Sequence, residues 1–288
     1  MRISGVQTYS PKNLEETLQI LYRHPLQFYI LSGGTDLVVK MQDGVIHPKH
    51  LLNLSFVREL KGFSSEDGQI VLGTNVTFGE ILENSLFRKQ AEPLYQAAKC
   101  MGSPQIRNLA TLGGNIINAS PAADSVPPLF VLNAEVCLES VNSIRWVKIE
   151  HLAAGPGKTI RKPFELLTKI RFPIKPASWH GGFLRLGQRE ALAISKVSLA
   201  YWGVLENGVI QDIRLALGAV APTVIQPPKT EAFLKGNTLT ETEMTRVAEI
   251  LKTEVHPISD IRSNETYRRE MCGVLLKRAL RQLMTQCT

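Results

Sequence analysis

No stretch of this 288-residue chain stays apolar for the roughly 18 residues that a membrane-spanning helix needs, and Met1-Arg2-Ile3-Ser4-Gly5-Val6 lacks the apolar core of a signal peptide. The expectation is a cytoplasmic protein with no membrane span. Cysteine is scarce: Cys100, Cys137, Cys272 and Cys287 stand far apart, with no Cys-x-x-Cys pair and no histidine at ligand spacing. That argues against a disulfide framework and against a zinc or iron–sulfur site in this chain, and leaves the four as reduced, mostly buried thiols. The usual catalytic signatures are missing as well. There is no Gly-x-Ser-x-Gly, no His-Glu-x-x-His and no cysteine with neighbours that would lower its pKa, while His24, His47, His50, His151, His180 and His256 stand singly. Aromatic residues make up only 7% and are not interleaved with the basic ones, so the net charge of +7 does not read as a nucleic-acid platform. It suits an acidic partner or an anionic cofactor.

What is present describes a globular protein of the α+β class. Hydrophobic residues make up 44% and charged residues 20%, and the length accommodates two domains. The proline-containing stretch Ile174-Lys175-Pro176-Ala177-Ser178 reads as a linker, placing a first domain at 1–175, with lobes of about 1–55 and 56–175, and a smaller α+β domain at 176–288. Ser10-Pro11 reads as the cap and first turn of a helix with Leu14, Leu18 and Leu21 on one face, ended by His24-Pro25. Phe28 to Leu31 reads as a buried strand, with further strands at Leu51 to Leu54, Gln69 to Gly73, Ala134 to Val141, Ile144 to Ile149 and Leu166 to Phe172. Thr77 and Glu80 form a capping box before Ile81, and Pro93 to Met101 is helical. In the second domain Gly182 to Leu186 and Val197 to Leu205 are strands, and Asn207-Gly208 turns the latter into a return strand over Val209 to Val220. Thr240 caps a helix, and a last helix spans about 264–284. Arg262, Arg268, Arg269, Lys277, Arg278 and Arg281 read chiefly as its solvated basic face.

Two glycine turns stand out in the first domain. Ser32-Gly33-Gly34-Thr35-Asp36-Leu37 follows the strand at Phe28, where successive amides can point into one concavity and take a phosphate. The loop has neither the G-x-G-x-x-G spacing of a Rossmann unit nor the Gly-Lys-Ser/Thr of a P-loop. The second turn, within Ala110 to Asp124, sets Gly113-Gly114 among small and amide side chains, a composition ill suited to a packed helix or strand. Two such turns suit a long anionic ligand whose diphosphate lies on main-chain amides.

The pair Leu31-Ser32-Gly33-Gly34-Thr35-Asp36 and Gln105-Ile106-Arg107-Asn108-Leu109-Ala110-Thr111-Leu112-Gly113-Gly114-Asn115-Ile116 resembles the flavin-binding loops of the FAD-binding (medium) subunit of molybdenum hydroxylases, the xanthine dehydrogenase family. The resemblance extends over essentially the whole chain, including Arg189-Glu190, Ser195-Lys196-Val197 and the Arg262, Tyr267, Arg268 pattern. It implies a two-lobed FAD-binding domain of the vanillyl-alcohol-oxidase/PCMH type followed by a C-terminal α+β domain. By the same resemblance Leu31, Ser32, Gly33, Gly34, Thr35, Asp36 and Leu37 wrap the FAD diphosphate, and Thr111, Gly114, Asn115, Asn118, Ala123 and Asp124 contact the cofactor. Asp124 suits a ribityl or ribose hydroxyl; Leu167 and Lys196 fall near the ring system. Some relatives in the wider superfamily attach the flavin through a His directly after the first Gly-Gly. Thr35 occupies that place here, so the FAD is expected to be non-covalent. With no aromatic residue in either loop, Leu31, Leu112 or Ile116 would pack on the flavin.

The activity so implied is that of an oxidoreductase subunit carrying electrons from [2Fe–2S] centres to NAD+ or another acceptor, which needs no acid or base from the chain. The iron–sulfur centres and the molybdopterin would belong to partner subunits. Two rival readings are a stand-alone flavoprotein oxidoreductase, for which the second domain offers Arg185 and Tyr201, and a non-enzymatic anion-binding module that leaves the second glycine turn without a purpose.

Overall fold

A computed structural model describes residues 5–174, 176–189 and 192–287. Met1 to Ser4, Lys175 of the expected linker and Glu190 of the Arg189-Glu190 pair lie outside the described residues.

The first lobe is a parallel sheet of β1 (Gln7–Tyr9), β2 (Phe28–Leu31) and β3 (His50–Asn53) in the order β1-β3-β2, with α1 (Leu14–Arg23) and α2 (Leu37–Gln42) as its connections. Leu18 and Leu21 of α1 close a small core with Leu52, Leu54, Val57 and Leu60. The helix starts later than Ser10-Pro11 suggests. Asn13 is the cap, its side chain accepting from the Glu16 amide at 2.8 Å, while Glu16 and Glu59 take the amides of Lys12 and Leu14. Glu16 thus uses the Lys12 amide, one of the donors that a Ser10 cap would have served.

The second lobe is an antiparallel sheet of β4 (Phe63–Glu66), β5 (Gln69–Gly73), β6 (Glu135–Ser140), β7 (Ser143–Lys148) and, after the small hairpin β8 (Ala153–Gly155) and β9 (Lys158–Thr159), β10 (Leu166–Pro173). Its order is β4-β5-β10-β6-β7. Six short helices fill the excursion between β5 and β6: α3 (Phe78–Glu83), α4 (Ser85–Gln90), α5 (Glu92–Cys100), α6 (Pro104–Arg107), α7 (Leu112–Ile117) and α8 (Val126–Val131). Thr77 and Glu80 make the capping box of α3 in both directions. Ile70, Leu72, Val136, Ile170 and Phe172 of the sheet share one buried core with Phe78, Ile81, Leu94, Leu112 and Leu129 of the helices.

The third sheet is antiparallel, β11 (His180–Leu186), β12 (Val197–Glu206) and β13 (Val209–Gly218), followed by α9 (Pro228–Leu234), α10 (Glu241–Glu254) and α11 (Glu265–Cys287). Asn207 and Gly208 both take positive φ, 51° and 78°, as a two-residue hairpin of this twist requires. β12 is buried on both faces. Val197, Leu199 and Tyr201 meet Leu251, Leu276 and Leu280 of the helices, whereas Ala200 and Trp202 belong to the core of the second lobe. Burial on both sides explains why this antiparallel strand is apolar at nearly every position up to Leu205, with Ser198 and Gly203 interrupting, rather than alternating. Among the described residues no helix is long and apolar enough to cross a membrane.

The solvated basic face expected for the C-terminal helix fails at Arg268, which is only 2% exposed. Its Nη1 donates to the Lys196 and Ala219 carbonyls at 3.1 and 2.9 Å, and its Nη2 to Asp260 Oδ1 at 2.7 Å. Arg269 likewise donates to the carbonyls of Lys252 and Val255 at the end of α10. The forked guanidinium thus satisfies main-chain oxygens at the ends of strands and helices that no ladder partner reaches.

Candidate functional site

The first glycine turn leaves the carboxyl end of β2 and enters α2. Gly34 has a φ of +74°, and a Cβ on Gly33 would lie 1.9 Å from the Leu109 carbonyl oxygen, so neither position tolerates a side chain without displacement. The first hydrogen bonds of the turn are those of Val38 to the Gly34 carbonyl and Lys40 to the Asp36 carbonyl. Among the described residues no hydrogen bond has an amide of Ser32, Gly33, Gly34, Thr35, Asp36 or Leu37 as its donor. Apart from exposed Asp36 these residues are half-buried, and they carry six successive main-chain N–H groups without an acceptor among the described residues, donors of the kind that phosphate oxygens use.

The second turn is not the irregular loop its composition suggests. Gly113 and Gly114 lie inside α7, which Thr111 caps by accepting from the Gly114 amide at 3.1 Å. Tertiary contact overrides the low helix propensity. The amides of Leu112 and Gly113 donate to the carbonyls of Val76 and Thr74, both at 2.9 Å, and a Cβ at Gly113 would meet the Thr74 side chain at 2.5 Å. With Asn115 also bonded to the Thr111 carbonyl, this segment's amides are occupied and its side chains are what it offers a ligand. Leu112 and Ile116 are 0% and 2% exposed in the core, which removes them as flavin-packing surfaces; Leu31 alone of the three is half-buried.

The two turns abut. Ser32 Oγ donates to Asn75 Oδ1 at 2.7 Å and lies 2.9 Å from Thr111 Oγ1, while Lys40 Nζ pairs with Asp36 at 2.6 Å and donates to Asn118 Oδ1 at 3.1 Å. Ser125 Oγ donates to Asn115 Oδ1 at 2.6 Å, which leaves the Asn115 amide nitrogen as the free end of that side chain. Asn75 and Lys40 were not legible as site residues in the sequence, since nothing local marks them.

Asp124 is enclosed, at 5% exposure, with Ala123 beside it at 3%. Its Oδ1 accepts from Ser195 Oγ at 2.6 Å and its Oδ2 from Arg185 Nη1 at 3.0 Å, both from the C-terminal part of the chain. Burial raises its proton affinity, against which the Ser195 bond and the Arg185 charge act. Its carboxylate is therefore engaged by protein where a ribose hydroxyl was expected. Leu167, at 5% exposure, lies in β10, on which α7 packs. Lys196 stands apart: its amide donates to the Leu186 carbonyl, its own carbonyl accepts from Arg268, and its Nζ lies 5.7 Å from the Tyr267 ring centre. Tyr201 is 1% exposed inside the C-terminal core, its hydroxyl bonded to Gln282 at 2.9 Å, so it faces no site.

Residues 4–175 match the family described as the FAD binding domain in molybdopterin dehydrogenase, and residues 183–283 match the CO dehydrogenase flavoprotein C-terminal domain. The chain belongs to the FAD-binding (medium) subunits of the molybdenum hydroxylase, or xanthine dehydrogenase, family, and is thus a subunit type of flavin-dependent oxidoreductases. It is 30% identical over 269 residues to the xanthine dehydrogenase FAD-binding subunit of Escherichia coli O157:H7, covering 93% of this chain and 92% of that protein. The nicotinate dehydrogenase FAD-subunit of Eubacterium barkeri is 29% identical, with 96% of each chain covered. A chain of the carbon monoxide dehydrogenase structure from Hydrogenophaga pseudoflava superimposes with a TM-score of 0.95 at 26% identity, each chain covered completely.

Proposed function

We propose that this chain holds FAD non-covalently where the two turns meet and serves as the electron-transfer subunit of a multi-subunit molybdenum hydroxylase. In that reading it accepts electrons from the [2Fe–2S] centres of a partner subunit, with molybdopterin on another, and passes them to NAD+ or a different acceptor. The observation that carries it is the row of six unspent amides from Ser32 to Leu37, pressed by Gly33 against the second turn. FAD bound there supplies both one-electron and two-electron redox chemistry. The chain's own work is positional. The amides and the Thr35 hydroxyl receive the diphosphate, and Thr111, Gly114, Asn115 and Asn118 line the adjoining wall, with Ala123 and Asp124 closing it and Leu167 and Lys196 toward the ring system. The proposed FAD-binding domain is 1–175, and 176–288 covers it as the C-terminal domain.

Thr35 at the position of the covalent anchor in other flavoproteins supports non-covalent binding. The purified chain should therefore release intact FAD into the supernatant on acid precipitation. Asn115→Leu and Gly114→Val should each lower flavin retention with the fold kept, as circular dichroism reports. Recovery of no flavin from repeated, correctly folded preparations overturns the reading.

A further inference from the structure

Asp124 and Arg185 form an ion pair whose side chains are both more than nine-tenths buried, at 6% and 7% exposure. They come from opposite sides of the seam: Asp124 closes the second turn of the N-terminal part, and Arg185 lies in β11 of the C-terminal sheet. The contact is built rather than incidental. Arg185 is steadied by a 2.9 Å bond to the Ala193 carbonyl, Ser195 holds the other carboxylate oxygen, and the Ala219 amide donates to the Pro121 carbonyl at 2.7 Å. Ser125, next to Asp124, in turn orients Asn115.

We propose that Arg185 is a positioning residue for the cofactor site: it keeps Asp124 as a charge-compensated carboxylate across the seam, and so couples FAD binding by the N-terminal turns to docking of the C-terminal sheet. This rests on the FAD reading above. A carboxylate buried without its cation either takes up a proton or stands as an uncompensated negative charge, here next to Ser125, which holds Asn115 of the second turn. Among the described residues the groups facing the carboxylate are the Arg185 guanidinium and the Ser195 hydroxyl, and the Cys100 thiol, kept neutral by burial, lies against the same guanidinium. With Arg185 gone, desolvation is opposed by Ser195 alone, and Asp124 protonates at higher pH.

The test is FAD affinity of the full chain, read by flavin fluorescence titration from about pH 5.5 to about pH 8.5, the range over which a desolvated carboxylate titrates. Wild type should show a flat profile. Arg185→Gln should bind about tenfold more weakly at the alkaline end, a part of the larger loss that removing one partner of a buried charge pair causes, and recover toward wild type at the acid end as Asp124 becomes neutral. Arg185→Lys should restore the flat profile, and so should Arg185→Gln combined with Asp124→Asn, which leaves no carboxylate to titrate. An Arg185→Gln profile parallel to wild type at every pH overturns the inference, whatever happens to stability. If Arg185→Gln alone does not fold, the double variant decides by the shape of its profile and not by its affinity, since Asp124 adjoins the proposed site: a flat profile supports the inference, and a pH-dependent one or failure to fold overturns it. A folded wild type that takes up no FAD at any pH overturns the reading of the site and this inference together, whereas wild-type binding with parallel profiles overturns the inference alone.

Discussion

Gly33 stands against the main chain of Leu109, so closely that a Cβ on residue 33 would fall 1.9 Å from the Leu109 carbonyl oxygen and 2.7 Å from its carbonyl carbon. The contact brings the free amides of one turn to the wall formed by the other. Because the obstruction is backbone and not the end of a flexible side chain, Gly33→Ala must push the turns apart. We expect a stability loss of about 1–3 kcal/mol, typical of overpacking, with a disproportionate loss of FAD binding. Urea melts beside flavin titration check it; wild-type affinity in the variant would show that the close approach is not needed for binding.

Thr111 has two jobs, capping α7 through the Gly114 amide and meeting Ser32 Oγ at 2.9 Å. Thr111→Ala should cost about 1 kcal/mol from the cap alone, with more from the lost hydroxyl pair. In a double-mutant cycle with Ser32→Ala, a coupling of about 0.5 kcal/mol or greater measured by denaturant unfolding would assign that extra loss to the link between the turns.

Arg268 is buried and bonded to two carbonyls and one carboxylate. Arg268→Met fills similar space but leaves Asp260 with the Arg262 guanidinium and the amides of Arg262 and Ser263, and strands the carbonyls of Lys196 and Ala219. The expected destabilisation is about 3–5 kcal/mol, the range for breaking a buried pair, whereas Arg281→Met, at an exposed pair with Glu241, should change stability little. Equal effects in thermal unfolding of the two variants would contradict the assignment.

Glu231 accepts from the Leu215 amide at 2.6 Å, and burial pushes its carboxyl up to about 7 from an ordinary 4.5. Between those values the native state keeps a proton that the unfolded chain has released, so this group's contribution to stability declines as pH rises through the window and levels off above it. Glu231→Gln can still accept from Leu215 but cannot titrate. Melting temperature should therefore fall less over that window in the variant than in wild type; identical slopes would show that Glu231 does not carry the dependence.

Local order was legible wherever contiguous residues decide it. The strand at Phe28–Leu31, half-buried with Tyr29 exposed rather than buried as expected, the Thr77–Glu80 capping box and the Asn207-Gly208 hairpin all follow from side chains within a few positions of one another, because backbone preference, cap geometry and turn φ are short-range properties. The pairing of Ser32 to Asp36 with the Gly113-Gly114 segment was visible only as a pattern, since contact between them runs through the Leu109 carbonyl and the Thr111 hydroxyl.

The rest depended on which distant groups the folded chain brings together. Asn13 displaced Ser10 as the cap of α1 partly because Glu59, 45 residues on from Leu14, takes that residue's amide. Gly113 and Gly114 are helical because Thr74 and Val76 supply acceptors to that turn. Arg268 looked like one more charge on a basic helix until the ends of β12 and β13 presented it with carbonyls. Asp124 was recognisable as a lone carboxylate in an unusual stretch, but its partners lie 61 and 71 residues further along, in Arg185 and Ser195. Sequence alone determines most of where this backbone extends, coils and turns, and where it is kept free of side chains, but the start of α1 and the helical turn at Gly113-Gly114 needed tertiary contacts. Which donors stay free for a ligand and which charges are neutralised is decided only when the strand ends meet, because a hydrogen bond or an ion pair depends on proximity in space and carries no trace in the spacing of residues.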